Sequence, residues 1–564
     1  MSLPEAPRFT PCPPGWREVP AADGSPTWCD PWPESGRGAC ADGEAHRPGE
    51  PACTLVGDPC PAGLFAPDLP SDVPVLFVQA EATGGDGTRA LPFDTVAAAL
   101  MAAPDPVVIA LATGAYPESV VIRSGDITLW GACTDTVLAT PARESGISVA
   151  DATLTLRNLR ATGGLLGVSA RRTTLTLDGV IVEDGGNVLL SVDFDSTLDA
   201  EDVLLRRGPT AVRISEGTRA SIRRLAVVDT PLSGVSVDTA EAMVSDSVLR
   251  SEERGADTYV ETFTEGVVHL ERSVILGRPG PAVLAFEGTM TFEDVLIGSV
   301  ASGSVLSPRG LLAFDGAHLT LDRVLLEGAE VVGLGAVGPG TVLTARDVLV
   351  RDVLPSLDQA EGHGIEIGGG ASADLTRVRL ERATAAGLFA YDPGSTLRLL
   401  DVSVVDTRGT VTGRAGRALQ AQGGAVITGE RVALTNNREA TVVVAGLGSD
   451  VDLLDATVTD THPRDCVSTG CEPAGVGVGS YLGAHAGLTR FRIERAALAG
   501  VQLSRDGSMD LSDGEISDNP VGVNLQVPGY DVGRLRDRVY YRDNGVNVDS
   551  SELPVPEPTA SPTG

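Results

Sequence analysis

The chain has 564 residues, a formal net charge of −33 and no lysine, so its basic side chains are arginines with six histidines. Such an acidic surface repels phosphate backbones, which argues against nucleic acid as a partner, and the missing lysine excludes a lysine nucleophile or base. There is no run of apolar residues long enough to cross a membrane, and 67 glycines with only 4% aromatics fit a repetitive chain better than several compact domains.

Residues 1–70 read as a Cys-rich N-terminal segment. Cys12, Cys29, Cys40, Cys53 and Cys60 stand among prolines and glycines, with too few periodic apolar residues to form a core. No CxxC pair occurs, so disulfides are expected rather than a metal site. Disulfides place the protein outside the cell or on its surface, with an export signal or lipid-attachment segment expected ahead of this sequence. Five is an odd number, and Cys133 is the only other cysteine near the first repeats. Cys133 is therefore expected to pair with one of the five, while Cys466 and Cys471 close a loop of their own.

Residues 71–106 are expected to form a first strand and a short amphipathic helix (about 93–103). From 107 to 548 one pattern recurs: apolar-x-apolar-x-x-apolar-x-apolar. Copies include "LTLRNLRA" (154–161), "LTLDGVIV" (175–182), "LTLDRVLL" (319–326), "LRLLDVSV" (397–404) and "FRIERAAL" (491–498). The third apolar slot falls at Leu159, Val180, Val203, Leu225, Val248, Val274, Val295, Val324, Val348, Val378, Val402, Val432, Ala456 and Ala496, with Gly514 last. Most copies are followed by a Gly-apolar-x-apolar strand such as "GIEI" or "GLFA". Period-2 strands without helices between them, repeating every 20 to 50 residues, imply a β-solenoid.

This repeat resembles the right-handed parallel β-helix of the pectate-lyase-like superfamily. The opening "GGDGTRALPFDTVAAALMAAPDPVVIALATGAYPESVVI" (84–122) is similar to how such helices begin: a Gly-rich turn, a capping helix, a strand and a G-x-Y-x-E-x-V turn. The resemblance implies an all-β solenoid capped at its N-terminal end by the helix. Its last part, residues 549–564, reads as a solvated Pro/Ser/Thr-rich tail.

From Val295 the coils alternate between long and short, giving a two-coil unit. The residue before each third slot alternates as well: Asp294, Arg323, Asp347, Arg377, Asp401, Arg431, Asp455, Arg495, Asp513. Coils stack about 4.8 Å apart, so alternating charge turns a repulsive column into an attractive one. An outward, solvated column is expected, with Asp401 beside Arg377 and Arg431. Reversing Asp401 to arginine should then cost about 1 kcal/mol.

"EGHGIEIGGG" (361–370) resembles the histidine motif of the polygalacturonases. The carboxylate motifs that precede that histidine are absent, and without lysine the motif that follows it cannot exist. His363 therefore reads as a turn residue, with Ile365 and Ile367 inward, and its replacement by alanine is expected to be silent. The nearby carboxylates Asp358, Glu361 and Glu366 all belong to its own coil. His462 lies too far along the stack to share a ligand with His363, and His485 offers His462 a loose pair at most. No catalytic, cofactor or metal residues are assigned.

The extra residues of the long coils, 301–309, 354–362, 408–417 and 462–473, all enter at one slot and should form a row of loops along one edge. The sequence thus points to a monomeric, non-catalytic scaffold or adhesin-like protein whose loop row contacts an extracellular polysaccharide or a surface protein. The alternative is a polysaccharide lyase or glycoside hydrolase of the same superfamily.

Overall fold

A computed structural model describes residues 2–20, 24–250, 258–277, 281–298, 309–355, 361–465 and 474–558. The protein is an all-β parallel solenoid with a single α-helix among the described residues. The chain divides into two compact units. One comprises Pro11–Val19 and Cys29–Leu296; the other comprises Met1–Thr10, Pro20–Trp28 and Ile297–Gly564.

In each unit a coil consists of a long strand followed by a shorter one. Val342–Arg351 is followed by His363–Gly368, and Ser372–Glu381 by Ala386–Tyr391. Long strands pair with long strands and short with short, all parallel, so that Val348, Val378, Val402, Val432 and Ala456 fall in one buried column. The doubled x of the repeat marks a bend. The residue before each anchor has a positive φ, 55° at Asp347, 50° at Arg377 and 58° at Asp401. Leaving the extended conformation for one residue returns both halves of the strand to the same inward face. Aspartate tolerates this conformation better than most residues, whereas arginine does not.

The first unit opens as expected. The helix Val96–Ala102 buries Val96 and Ala99, and Thr95 caps it. Glu118 of the G-x-Y-x-E-x-V turn accepts from the N–H groups of Val96 (2.8 Å) and Ala97 (3.0 Å), while the Tyr116 hydroxyl donates to the Ala112 carbonyl (2.9 Å). The turn thus supplies the helix with a carboxylate where its N–H groups lack partners. Disulfides join Cys12 to Cys29, Cys40 to Cys53 and Cys60 to Cys133. Cys466 and Cys471 lie outside the described residues.

Two coils of this unit differ from the sequence reading. Val248 pairs with Ala226, not with Leu225, so the third slot there holds Ser247, and Ser273 in the next coil. A hydroxyl is admitted because the backbone satisfies it: Ser247 donates to the Ser245 carbonyl (2.6 Å) and accepts from the Leu225 N–H (3.0 Å). The Cys-rich segment runs along the bends of the same unit. Asp58 N–H donates to Asn158, Gly57 N–H to Asp202 (2.7 Å), and the buried Arg47 pairs with Asp202 (2.6 Å).

The second unit carries the ionic column, with one change of register. Ala456 pairs with Phe491, so the third slot is Phe491 rather than Ala496, and the charged residue before it is Arg490 rather than Arg495. The repeat is self-similar at an offset of five residues here, since "AGLTRFRI" (486–493) fits it as well as "FRIERAAL" does. The core decides between them. Phe491 lies over Gly514, where an added Cβ would come within 2.2 Å of its ring. Arg495 belongs to a second column at the end of the long strands, where Arg382 meets Asp352 (2.7 Å) and Arg495 meets Asp460 (2.7 Å).

Where the N-terminal arm covers the first column, its aspartates are not solvated, and the column is not evenly bridged. Each arginine grips the aspartate of the preceding coil with two nitrogens: Arg377 holds Asp347 (2.7 and 2.6 Å), Arg431 holds Asp401 (2.6 and 2.9 Å) and Arg490 holds Asp455 (3.0 and 2.7 Å). Arg377 thus stands beside Asp401, as expected, but gives its hydrogen bonds to Asp347. The aspartates are buried, at 4%, 4% and 6% exposure, because the N-terminal arm covers them. Arg8 N–H donates to Asp347 (2.8 Å), Glu5 N–H to Asp401 (3.0 Å) and Ser2 N–H to Asp455. Asp401→Arg would therefore place three arginines together under the arm. We expect it to cost about 2 kcal/mol, double the value for a solvated column, as measured by the shift of the urea midpoint at equal m-value.

Part of the tail, residues 551–557, lies against the solenoid. Carbonyls of Ser551, Leu553 and Pro554 accept from the side-chain amides of Asn524 (3.0 Å), Gln526 (2.8 Å) and Gln502 (3.1 Å), and the Glu557 carbonyl accepts from Arg417 (2.5 Å). Val555 packs on Ala440, Val443, Ala445, Val476 and Tyr481. A proline-rich segment can cover a sheet in this way because its carbonyls stay available where its nitrogens cannot donate.

Candidate functional site

His363 begins a strand, and its side chain is buried at 2% exposure. Nδ1 lies 2.8 Å from Glu366 Oε2, and Nε2 lies 3.4 Å from Glu361 Oε2. The next coil adds the Phe389 ring, edge-on at 4.8 Å, and the Tyr391 hydroxyl, which donates to Glu366 (3.1 Å). Burial pushes the imidazole toward neutrality, but the two carboxylates outweigh it and raise its pKa to about 9. Ile365 and Ile367 face the core, as expected. Asp358 lies outside the described residues.

His363 and Glu366 are sealed while Glu361 stays partly exposed, and both carboxylates come from the coil of His363 itself. The cluster is an ion-paired structural core, so the expectation of a silent turn residue fails on stability. We expect His363→Ala to cost about 2 kcal/mol, because Glu366 would stay buried without its charged partner. The sign with pH follows from the raised pKa. The stabilisation is complete below the unfolded value of 6.5 and is lost as pH rises through about 9. Unfolding of the wild type and the alanine variant should therefore converge above pH 9.

The open site lies elsewhere, on the outward face of the long-strand sheet of the same unit. The register sets Asp450, His485 and Ser508 in one row and Asp452, Gly487 and Asp510 in the next. Gly487 matters here: a Cβ in its place would meet Asp452 Oδ1 at 2.1 Å, so the missing side chain lets that carboxylate lie across the coil. Asp450, Asp452 and His485 bring one ligand atom each within 4.8 Å of one another, a set of donors suited to a hard or borderline cation. Burial, then the charge of Asp452, pushes the Asp450 carboxyl up. Asp510 is held from the other side by Arg534, two contacts at 2.7 Å, which keeps its carboxyl low.

Asp452, His485, Gly487, Asp510 and Arg534 line a groove of about 680 Å³, with Arg398 and Glu430 further along it. Sequence reasoning placed His485 only with His462; its true neighbours, Asp450 and Asp452, stand 35 and 33 positions earlier. The signal was present in the column Asp452–Gly487–Asp510, but reading it required the corrected register. Of the loop row, residues 301–308, 356–360 and 466–473 lie outside the described residues. The loop 408–416 is closed by its own turn, with Thr410 N–H donating to the Arg414 carbonyl (2.7 Å), and exposes Val411.

No family model matches the sequence, and no curated protein matches it. Solved structures similar to this chain include pectate lyase Pel9A, at 12% identity and a TM-score of 0.27, over 55% of this chain and 76% of that one. The PL6 family alginate lyase AlyGC matches at 10% identity and a TM-score of 0.27, over 84% and 100% of the two chains. The catalytic unit of the GH87 alpha-1,3-glucanase from Streptomyces thermodiastaticus matches at 11% identity and 0.24, over 87% and 71%. At such distances no residue role is carried across. Among the described residues no helix is long and apolar enough to cross a membrane.

Proposed function

We propose that the chain is an exported, non-catalytic β-helix protein that binds polysaccharide along the groove at Asp452, His485 and Asp510. The observation that carries this reading is the groove itself: an open channel across successive coils, lined by carboxylates, arginines and hydroxyls. One of its carboxylates, Asp510, is clamped by Arg534, which suits hydrogen bonding to sugar hydroxyls rather than proton transfer. The disulfides support an oxidising compartment.

A second reading, a lyase or hydrolase, is favoured by Asp450. A carboxyl raised by burial beside a second carboxylate is the pairing that acid-assisted glycoside cleavage uses. A glycan array with the intact chain, followed by assays for reducing ends and unsaturated uronate on each bound glycan, separates the two. Binding without new ends, weakened at least tenfold by Asp452→Asn or His485→Ala, supports the scaffold. Product formation abolished by Asp450→Asn replaces it with the enzyme.

A further inference from the structure

The donors of the N-terminal arm are Ser2, Glu5 and Arg8, one every three residues, and their acceptors Asp455, Asp401 and Asp347 stand on every second coil. Two coils span about 9.6 Å at a spacing of about 4.8 Å. Three residues of polyproline II helix, one full turn, span about 9.3 Å. The arm has the sequence to match: Pro4 and Pro7 recur at the same interval, each just before a donor. Pro4 is half-buried and Pro7 buried, while Ser2, Glu5 and Arg8 expose their side chains, so the proline edge of the segment is its covered one.

The column continues past the arm. Asp513 is the next aspartate, two coils beyond Asp455, and it has the same positive φ and an arginine of its own, Arg538, at 2.7 Å. Unlike the other three it is exposed, with 38% of its side chain accessible. Beside it opens a pocket of about 540 Å³ lined by Arg490, Phe491, Gly514, Arg538 and the exposed Tyr540. An aromatic wall beside a row of acceptors is what a polyproline segment requires.

We propose that the aspartate column is a docking rail for polyproline-type segments bearing a free N–H after each proline. Three rungs hold residues 2–9 of this chain, and the fourth, Asp513, takes one further turn of the same kind of segment. Recognition runs through the backbone N–H at every third residue. The arginines beneath fix the carboxylates, and the alternate-coil spacing selects the three-residue period.

The test uses the full-length chain with Glu5→Pro and Arg8→Pro, which removes two donors and frees the rail while leaving the folded body unchanged. A labelled peptide, Ser-Leu-Pro-Glu-Ala-Pro-Arg-Phe-Thr, is expected to bind this variant at least tenfold more tightly than it binds the unaltered chain. N-methylation at the peptide's glutamate and arginine should abolish binding; N-methylation at its leucine and alanine should change it less than twofold. Placing Pro-Glu-Ala-Pro ahead of the peptide's serine should tighten binding severalfold, and Asp513→Asn should remove that gain. As an independent readout, chymotrypsin should cut after Phe9 at least tenfold faster in the double proline variant, and at the unaltered rate in Leu3→Pro with Ala6→Pro. Equal binding of both methylated peptides, or equal cleavage of all chains, overturns the rail. A gain that survives Asp513→Asn overturns its fourth rung.

Discussion

Glu439→Ala is expected to destabilise the second unit by about 4 kcal/mol, because it leaves a buried guanidinium without its counter-charge. Glu439 is 1% exposed and Arg417 3%. Arg417 approaches one carboxylate oxygen at 2.6 and 2.7 Å, and Arg464 approaches the other at 2.7 Å. Burial opposes ionisation of Glu439, but the two arginines outweigh it and hold its carboxyl low. Its contribution is therefore complete above the unfolded value of 4.5 and is lost as pH falls toward the depressed one. Arg417 also donates to Gln420 (2.7 Å) and to the Glu557 carbonyl, so the loss should spread to the tail and appear as faster amide exchange there. The double replacement Glu439→Ala with Arg417→Met should recover about half of the stability, since it removes the buried guanidinium and leaves only Arg464, nearer the surface, without its partner. If the double variant costs as much as the sum of the two single variants, the pair is not coupled.

Loss of the Cys60–Cys133 disulfide is expected to cost a similar amount, about 4 kcal/mol. The cross-link closes a loop with a sequence separation of 73, against 13 for Cys40–Cys53, and in the chain-entropy account the longer loop restrains the unfolded chain more. Replacing both cysteines of each pair by serine should therefore lower stability by about 4 and about 3 kcal/mol respectively. Chemical denaturation of the first unit, followed under non-reducing conditions, measures the difference. The Cys60 variant should also loosen the Arg47–Asp202 contact, which protection of the Arg47 side from proteolysis would report.

The solenoid was legible because its code is local. A two-residue alternation broken by one doubled polar position names both the strand and its bend, and the stack repeats it until the pattern is unmistakable. Register failed where a residue violated the code for a reason outside its own coil. Ser247 and Ser273 occupy apolar slots because a neighbouring backbone absorbs their hydroxyls, and Phe491 is an anchor because Gly514 makes room for its ring. The covering contacts of the two end segments were not legible for a related reason. Nothing within "SLPEAPRF" or "ELPVPEP" shows a covering segment, since the first needs acceptors 339 and 396 positions away and the second needs donors 27 to 140 positions away. The open groove was hidden by the same register error, and His363, conspicuous as a motif, turned out to be sealed in place.

The alternation of aspartate and arginine also restricts how a chain of this kind can change its length. Deleting or duplicating a single coil of the second unit would set like charges side by side and put the arm's donors opposite arginines instead of aspartates. Adding or removing two coils keeps every pairing and moves the rail by one turn of the arm. Growth by whole two-coil units is the step that the architecture tolerates, so homologous or engineered chains should differ in size by even numbers of coils.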